Sequence, residues 1–171
     1  MTSIVQATEN DYKLLSSLGK QTFMESHGTS ASVEDINNYI SKTYGDEVLQ
    51  KELRDPENIY YIIYHNADAA GYSKIILNSP YTNSPLQNIT KLERIYLLQQ
   101  FYDLKLGFTL LEFIANFSKE HNQAGMWLYT WKENQRAVNF YKKNGFAIIG
   151  SYDFPISKTH SNPNHQMFLK F

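Results

Sequence analysis

Cysteine is absent from the 171 residues. Disulfides, thiolate metal sites and cysteine nucleophiles are therefore excluded. No apolar run approaches the roughly 18 residues that cross a bilayer. The first residues, Met1-Thr2-Ser3-Ile4-Val5-Gln6, turn polar at once and lack the apolar core of a signal peptide. A cytoplasmic protein without membrane attachment is expected. Neither G-x-x-x-x-G-K-[ST], G-x-G-x-x-G nor G-x-S-x-G occurs, so a P-loop, a dinucleotide fingerprint and a serine-hydrolase elbow are all missing. His27, His65, His121, His160 and His165 are scattered and show no H-E-x-x-H spacing, so no metal is expected. An excess of one charge is missing too: 16 Lys and Arg face 17 Asp and Glu, a net of -1. A nucleic-acid partner would call for a strongly basic chain.

What is present describes one folded domain spanning residues 1–171. The chain is 42% hydrophobic, 15% aromatic and only 19% charged, which supplies a sizeable single core. The charge is unevenly placed. Residues 1–57 hold ten acids and five bases, and residues 58–171 hold seven acids and eleven bases. Two readings stand side by side: ordinary surface variation, or a first part that meets a cation and a second that meets an anion.

Hydrophobic periodicity predicts the elements. Thr2 to Ala7 reads as a strand. Thr8-Glu9-Asn10-Asp11 reads as an N-cap with an acid three residues on. Leu14, Leu15, Leu18, Thr22 and Phe23 follow at helical spacing. A second helix is predicted from Ser32 and a third from Asp46 to Arg54, ahead of Pro56. Ile59–Tyr64 and Gly71–Leu77 read as a hairpin, and Leu92–Leu98 as a strand. A helix is predicted from Lys105 to His121, a strand from Met126 to Trp131, and a helix from Asn134 to Lys143. Phe146–Ser151 and Gln166–Phe171 close the chain as a strand pair around a polar loop. This order gives an α/β (α+β) fold: a mixed, mostly antiparallel sheet of about seven strands with helices on both faces.

Three segments carry the candidate chemistry: Glu93-Arg94-Ile95-Tyr96 on a strand, Phe101 to Gly107 opening a helix, and Asn134 to Phe146 forming a helix and its exit. Together they resemble the GNAT superfamily of acetyl-CoA-dependent N-acetyltransferases, from about Ile4 to the end and most strongly from Leu92 to Phe146. Glu93-Arg94-Ile95-Tyr96, Trp131-Lys132-Glu133-Asn134 and Phe140-Tyr141-Lys142-Lys143 resemble the bacterial polyamine N-acetyltransferase branch. The resemblance implies the acyl-CoA N-acyltransferase fold, acetyl-CoA as co-substrate, no metal, and a small-molecule amine as partner, with a homodimer left open.

It also implies roles for residues. The superfamily's pyrophosphate pattern is Gln/Arg-x-x-Gly-x-Gly/Ala. Here Tyr102 takes the first place, Lys105 replaces the first glycine and Gly107 keeps the second. Tyr102, Asp103, Leu104, Lys105, Leu106, Gly107 and Phe108 would hold the phosphates by backbone N–H groups and the helix dipole. Ile95, Tyr96 and Leu97, with the Leu98 N–H, would pair with the pantetheine. Tyr141 would protonate the departing thiolate, or simply pack in the core. Asn134 would bond the pantetheine, cap its helix, or both. Glu93 would relay the amine's proton through water, or pair with Arg94 or Lys91. Phe23, Glu25, His27 and Tyr72 would meet the acceptor, with Tyr39 and Tyr152 as further candidates. An amino-acid or peptide amine, and a non-catalytic acyl-CoA sensor, are the alternative readings.

Overall fold

The computed structural model describes residues 1–171. In chain order the elements are β1 (Thr2–Gln6), α1 (Tyr12–His27), α2 (Val33–Tyr44), α3 (Asp46–Arg54), β2 (Ile59–His65), β3 (Asp68–Ile76), β4 (Thr90–Leu97), α4 (Leu106–Glu120), β5 (Gly125–Trp131), α5 (Gln135–Lys143), β6 (Ala147–Pro155) and β7 (Ser161–Lys170). One seven-stranded sheet runs β1-β2-β3-β4-β5-β7-β6. Every pair is antiparallel except β4 with β5.

Side-chain alternation along β2 places helices on both faces. Tyr60 reaches Glu52 of α3, while its neighbour Tyr61 meets Phe113 and Phe117 of α4. Successive strand residues point to opposite faces, so α3 and α4 lie on opposite sides of the sheet. Leu15 and Phe23 of α1, Ile62 and Ile75 of the sheet and Ile114 of α4 belong to one continuous core.

Local chemistry explains the helix starts. Ser32 Oγ accepts the Asp35 N–H at 3.1 Å and caps α2. Thr8 donates both its N–H and its hydroxyl to Asp11, at 2.7 and 3.0 Å. That reciprocal turn holds Glu9–Asp11 as a short 3-10 segment, so α1 begins only at Tyr12. The last strand pair is longer than the sequence suggests. Ser161-Asn162-Pro163-Asn164 has loop composition, yet it pairs with β6 up to Pro155, and Asn164 also faces Trp131 of β5. Partners on both sides override local propensity here.

One pairing stops short. β4 and β5 pair only at Thr90 with Met126 and Lys91 with Trp127, although they continue to Leu97 and Trp131. A bulge on β4 accounts for the divergence. Lys74 faces Arg94 and Ile75 faces Leu92, leaving Glu93 as an extra residue. Such an insertion bends a strand and increases its twist.

The end of β4 is held from behind by Gly71 on β3. A Cβ there would lie 2.2 Å from the Tyr96 carbonyl oxygen and 2.9 Å from Leu97 Cα. Gly71→Ala must therefore displace β4. A stability loss of about 1–3 kcal/mol is expected, as for overpacked cores, together with weaker coenzyme A binding. Thermal unfolding and a coenzyme A titration check both, and an unchanged variant would show that β4 is free to shift.

Candidate active site

The diverging strands open a cleft of about 1130 Å³, lined by both strands and by α1, α2, α4 and α5. At one end the chain leaves β4 and turns through Tyr102 to Lys105 into α4. Asp103 (φ 65°) and Lys105 (φ 60°) are both left-handed. Lys105 thus adopts the backbone shape for which glycine is the usual choice. α4 starts at Leu106, so the N–H groups of Leu106, Gly107 and Phe108 have no carbonyl partner within the helix. A methyl group on Gly107 would come no nearer than 3.5 Å to Leu97 and 3.7 Å to Phe140. Internal packing does not require this glycine.

Arg136 lies over the Tyr102 ring, 4.0 Å from its centroid, and donates to Asp103 Oδ1 at 3.2 Å. The Asp103 carboxylate is thereby engaged by a cation. Lys105, Arg136 and Lys143 all line the cleft, with Lys105 and Arg136 at this turn. An open helix N-terminus with Lys105 and Arg136 beside it fits the phosphates of a coenzyme A. Lys105→Gly keeps the left-handed turn and deletes the charge. It should stabilise the fold by about 1 kcal/mol and weaken coenzyme A binding at low salt, with the difference shrinking at high salt. Equal affinity of variant and parent at low salt would contradict this.

Further in, Tyr141 of α5 lines the cleft at 8% exposure. Burial raises its phenol pKa, so it keeps its proton through the neutral range. Asn134 accepts the Ala137 N–H at 3.2 Å as the cap of α5 and also lines the cleft. Ile95, Tyr96 and Leu97 line it from β4. Leu98 offers no free N–H, because that group donates to the Ala70 carbonyl at 2.9 Å.

Glu93 lies in the cleft within an ion network the sequence did not disclose. Lys74 pairs with Glu93 and also reaches Glu52 at 3.1 Å. Lys91 is 3.4 Å and Arg94 3.9 Å from Glu93. Arg94 also reaches Glu52 at 3.2 Å and donates to the Tyr60 hydroxyl at 2.7 Å. Burial pushes the Glu93 pKa up, but Lys74 first and then Arg94 hold it below the usual carboxylate range. Glu93 is ionised and its charge is compensated.

The wall formed by α1, α2 and the ends of β4 and β5 is aromatic. The His27 ring stacks on Phe23 at 4.7 Å and on Trp131 at 5.5 Å, and meets the Tyr96 ring edge-on at 6.1 Å. Tyr39 stacks on Phe23 at 4.6 Å and touches Phe154. Phe154, Asn162 and Asn164 were not singled out from the sequence, and Trp131 was read there only as part of a motif. Sheet pairing alone brings them here.

Four expectations are corrected by the geometry. Tyr72 is a core residue, 1% exposed, packed beneath the cleft against Tyr60 and Tyr96. Glu25 lies outside the lining and ties α1 to the turn after β4 by accepting the Gln99 N–H at 2.7 Å. Leu104, between the two left-handed residues, lies outside the lining and is 48% exposed. Of the ten acids in residues 1–57, only Glu52 reaches the cleft, and Lys74 and Arg94 neutralise it. The others lie elsewhere, so the charge split creates no acidic acceptor site.

Known proteins share this fold or resemble this sequence. A Thermoplasma acidophilum PaiA N-acetyltransferase, solved in complex with coenzyme A, superposes with a TM-score of 0.81 at 19% identity, covering 100% of this chain and 99% of that one. An N-acetyltransferase of Lactobacillus delbrueckii subsp. lactis, described as uncharacterised and lying in the pepI 3′ region, is 29% identical over 88% of this chain and 87% of its own length. A spermidine N(1)-acetyltransferase of Thermoplasma acidophilum is 24% identical over 89% of this chain and 93% of its own. The acetyltransferase (GNAT) family model matches residues 23–146. With the splayed strands, the left-handed turn and the open helix N-terminus in place, the chain belongs to the acetyltransferase (GNAT) family.

Proposed function

We propose that this protein moves an acetyl group from acetyl-CoA to the primary amine of a small molecule, by direct attack with both substrates bound. The observation that carries the proposal is the end of β4–β5 pairing at Lys91 and Trp127. Beyond it, two strand edges face each other across a gap that leads from the α4 N-terminus to Tyr141 and the aromatic acceptor wall.

Each residue then has a task. The N–H groups of Leu106, Gly107 and Phe108 and the charge of Lys105 hold the phosphates. Asp103 keeps Arg136 in place over Tyr102. The free edge of β4 at Ile95 and Leu97 aligns the pantetheine and polarises the thioester carbonyl. Tyr141 protonates the departing thiolate. Asn134 fixes the start of α5, and with it Tyr141. Glu93 passes the amine's proton to solvent through water. Phe23 and His27 shape the acceptor side. The acetyl group travels on the co-substrate, and no residue of this chain carries it covalently.

A polyamine is the first acceptor to try, because a relative is named as a spermidine N(1)-acetyltransferase. The compensated carboxylates of the cleft give a polyamine no surplus negative charge, so amino-acid and peptide amines belong in the same screen. The test measures coenzyme A thiol release and product mass with spermidine, glycinamide, benzylamine and free amino acids. Release matched by an acetylated amine supports the proposal. Tight coenzyme A binding with no acetylated product would favour a sensor role instead.

A further inference from the structure

The hydrogen bonds around His27 fix where its proton sits. Ser26 Oγ donates to the Thr22 carbonyl at 2.7 Å. A carbonyl only accepts, and a hydroxyl has one proton to give. Ser26 Oγ is also 2.7 Å from His27 Nδ1. Its proton being committed to Thr22, the oxygen accepts there, and Nδ1 carries the N–H. In a neutral imidazole the other nitrogen, Nε2, then bears the lone pair. No protein group bonds Nε2, since the Ser26 contact is the ring's one hydrogen bond.

The ring stands where the two strands have parted. It stacks on Trp131 near the end of β5 and meets Tyr96 near the end of β4, so it bridges the gap on the acceptor side. The groups facing it leave it neutral. Burial alone lowers its pKa, to about 4, with no charged side chain contributing. Tyr96 of β4, which meets the ring, and Tyr39 of α2 and Tyr141 of α5, which line the same cleft, are phenols whose pKa values are raised by burial. Glu25, on the same helix, is turned to the Gln99 N–H.

We propose that His27 Nε2 is the atom that takes the proton from the attacking amine; the assignment rests on the acetyl-transfer reading above. The nitrogen lone pair forms the C–N bond and the C–S bond breaks with its electron pair on sulfur. The surplus proton on nitrogen passes to Nε2, and Tyr141 supplies the proton of the thiol. The imidazolium then returns its proton to solvent, Glu93 and water carrying it out, and the tyrosinate recovers one from the same pool. Moving a proton from nitrogen to imidazole adds no charge to the buried site, which is why an imidazole that resists protonation in the free protein can still serve. Its aversion to charge hastens the release that follows.

Nitrogen-15 spectra of the His27 ring at pH 7 test the assignment without turnover. Nδ1 should be protonated and Nε2 bare, and Ser26→Ala should weaken that preference. The reverse tautomer overturns the proposal. Single-turnover rates of His27→Gln, with an amine that the parent acetylates, should fall at least roughly 100-fold, with coenzyme A affinity and thermal stability close to the parent. In His27→Ala, added imidazole should restore part of the rate in proportion to its free base. An unchanged His27→Gln rate overturns the role of His27 alone. A parent that acetylates no amine overturns the acetyl-transfer reading itself.

Discussion

Tyr141→Phe should transfer acetyl from bound acetyl-CoA at least roughly 100-fold more slowly than the parent, the usual scale of general acid catalysis. The substitution keeps the ring, its edge contact with Phe146 at 5.6 Å and its place in the core. It removes only the hydroxyl. A packing role would therefore leave the rate intact, whereas the acid role costs rate and little else. Burial raises the phenol's pKa, which secures the proton at neutral pH and makes its transfer to a thiolate uphill unless the two are coupled to C–S cleavage. Single-turnover measurements are needed because product release can mask the chemical step. Parent and variant transferring at the same rate would mean that the thiolate leaves unprotonated or takes its proton from water.

Lys74→Met should lower stability by about 3 kcal/mol, the lower end for breaking a buried ion pair. The lysine side chain is 5% exposed and serves two carboxylates. Methionine replaces its stem but leaves Glu52 and Glu93 short of a counter-charge. Those carboxylates are 21% and 26% exposed, so water recovers part of the loss. The pH dependence follows from the depressed pKa values of both acids. A depressed carboxylate contributes stability above its unfolded pKa of about 4.3 and loses it as pH falls through the folded value. The gap between parent and Lys74→Met should therefore narrow as pH falls below about 4.3. Adding Glu93→Gln to Lys74→Met should cost less than the two single losses together, since the residues share one network. Denaturant melts of the three variants check this. Strict additivity would mean that Lys74 and Glu93 do not depend on each other.

Much of this architecture can be read from the chain because it is written in local chemistry. Ser32 and Asn134 announce helix starts by the bonds they make to Asp35 and Ala137. Gly107 follows a strand and a turn and opens a helix, and the structure puts it there. The features that escape the sequence depend on register. Lys74 meets Glu93 only because a bulge makes Glu93 the unpaired residue opposite the step from Lys74 to Ile75. Nothing in either segment alone signals that. Tyr72 and Tyr96 are cross-strand partners, one sealed beneath the cleft and one lining it, and their aromatic character cannot separate them. The acidic surplus of the first 57 residues reads as a site until the helices are oriented, after which only Glu52 faces inward. His27 was visible as an acceptor-side residue, but its tautomer depends on Ser26 and Thr22, one helical turn apart.

A crystal structure of the protein with acetyl-CoA bound tests the central claim most directly. The account predicts the pyrophosphate on the N–H groups of Leu106, Gly107 and Phe108, the pantetheine in the gap between β4 and β5, and the thioester sulfur within hydrogen-bond reach of the Tyr141 hydroxyl. A cofactor lying outside that gap, or a sulfur remote from Tyr141, would contradict it.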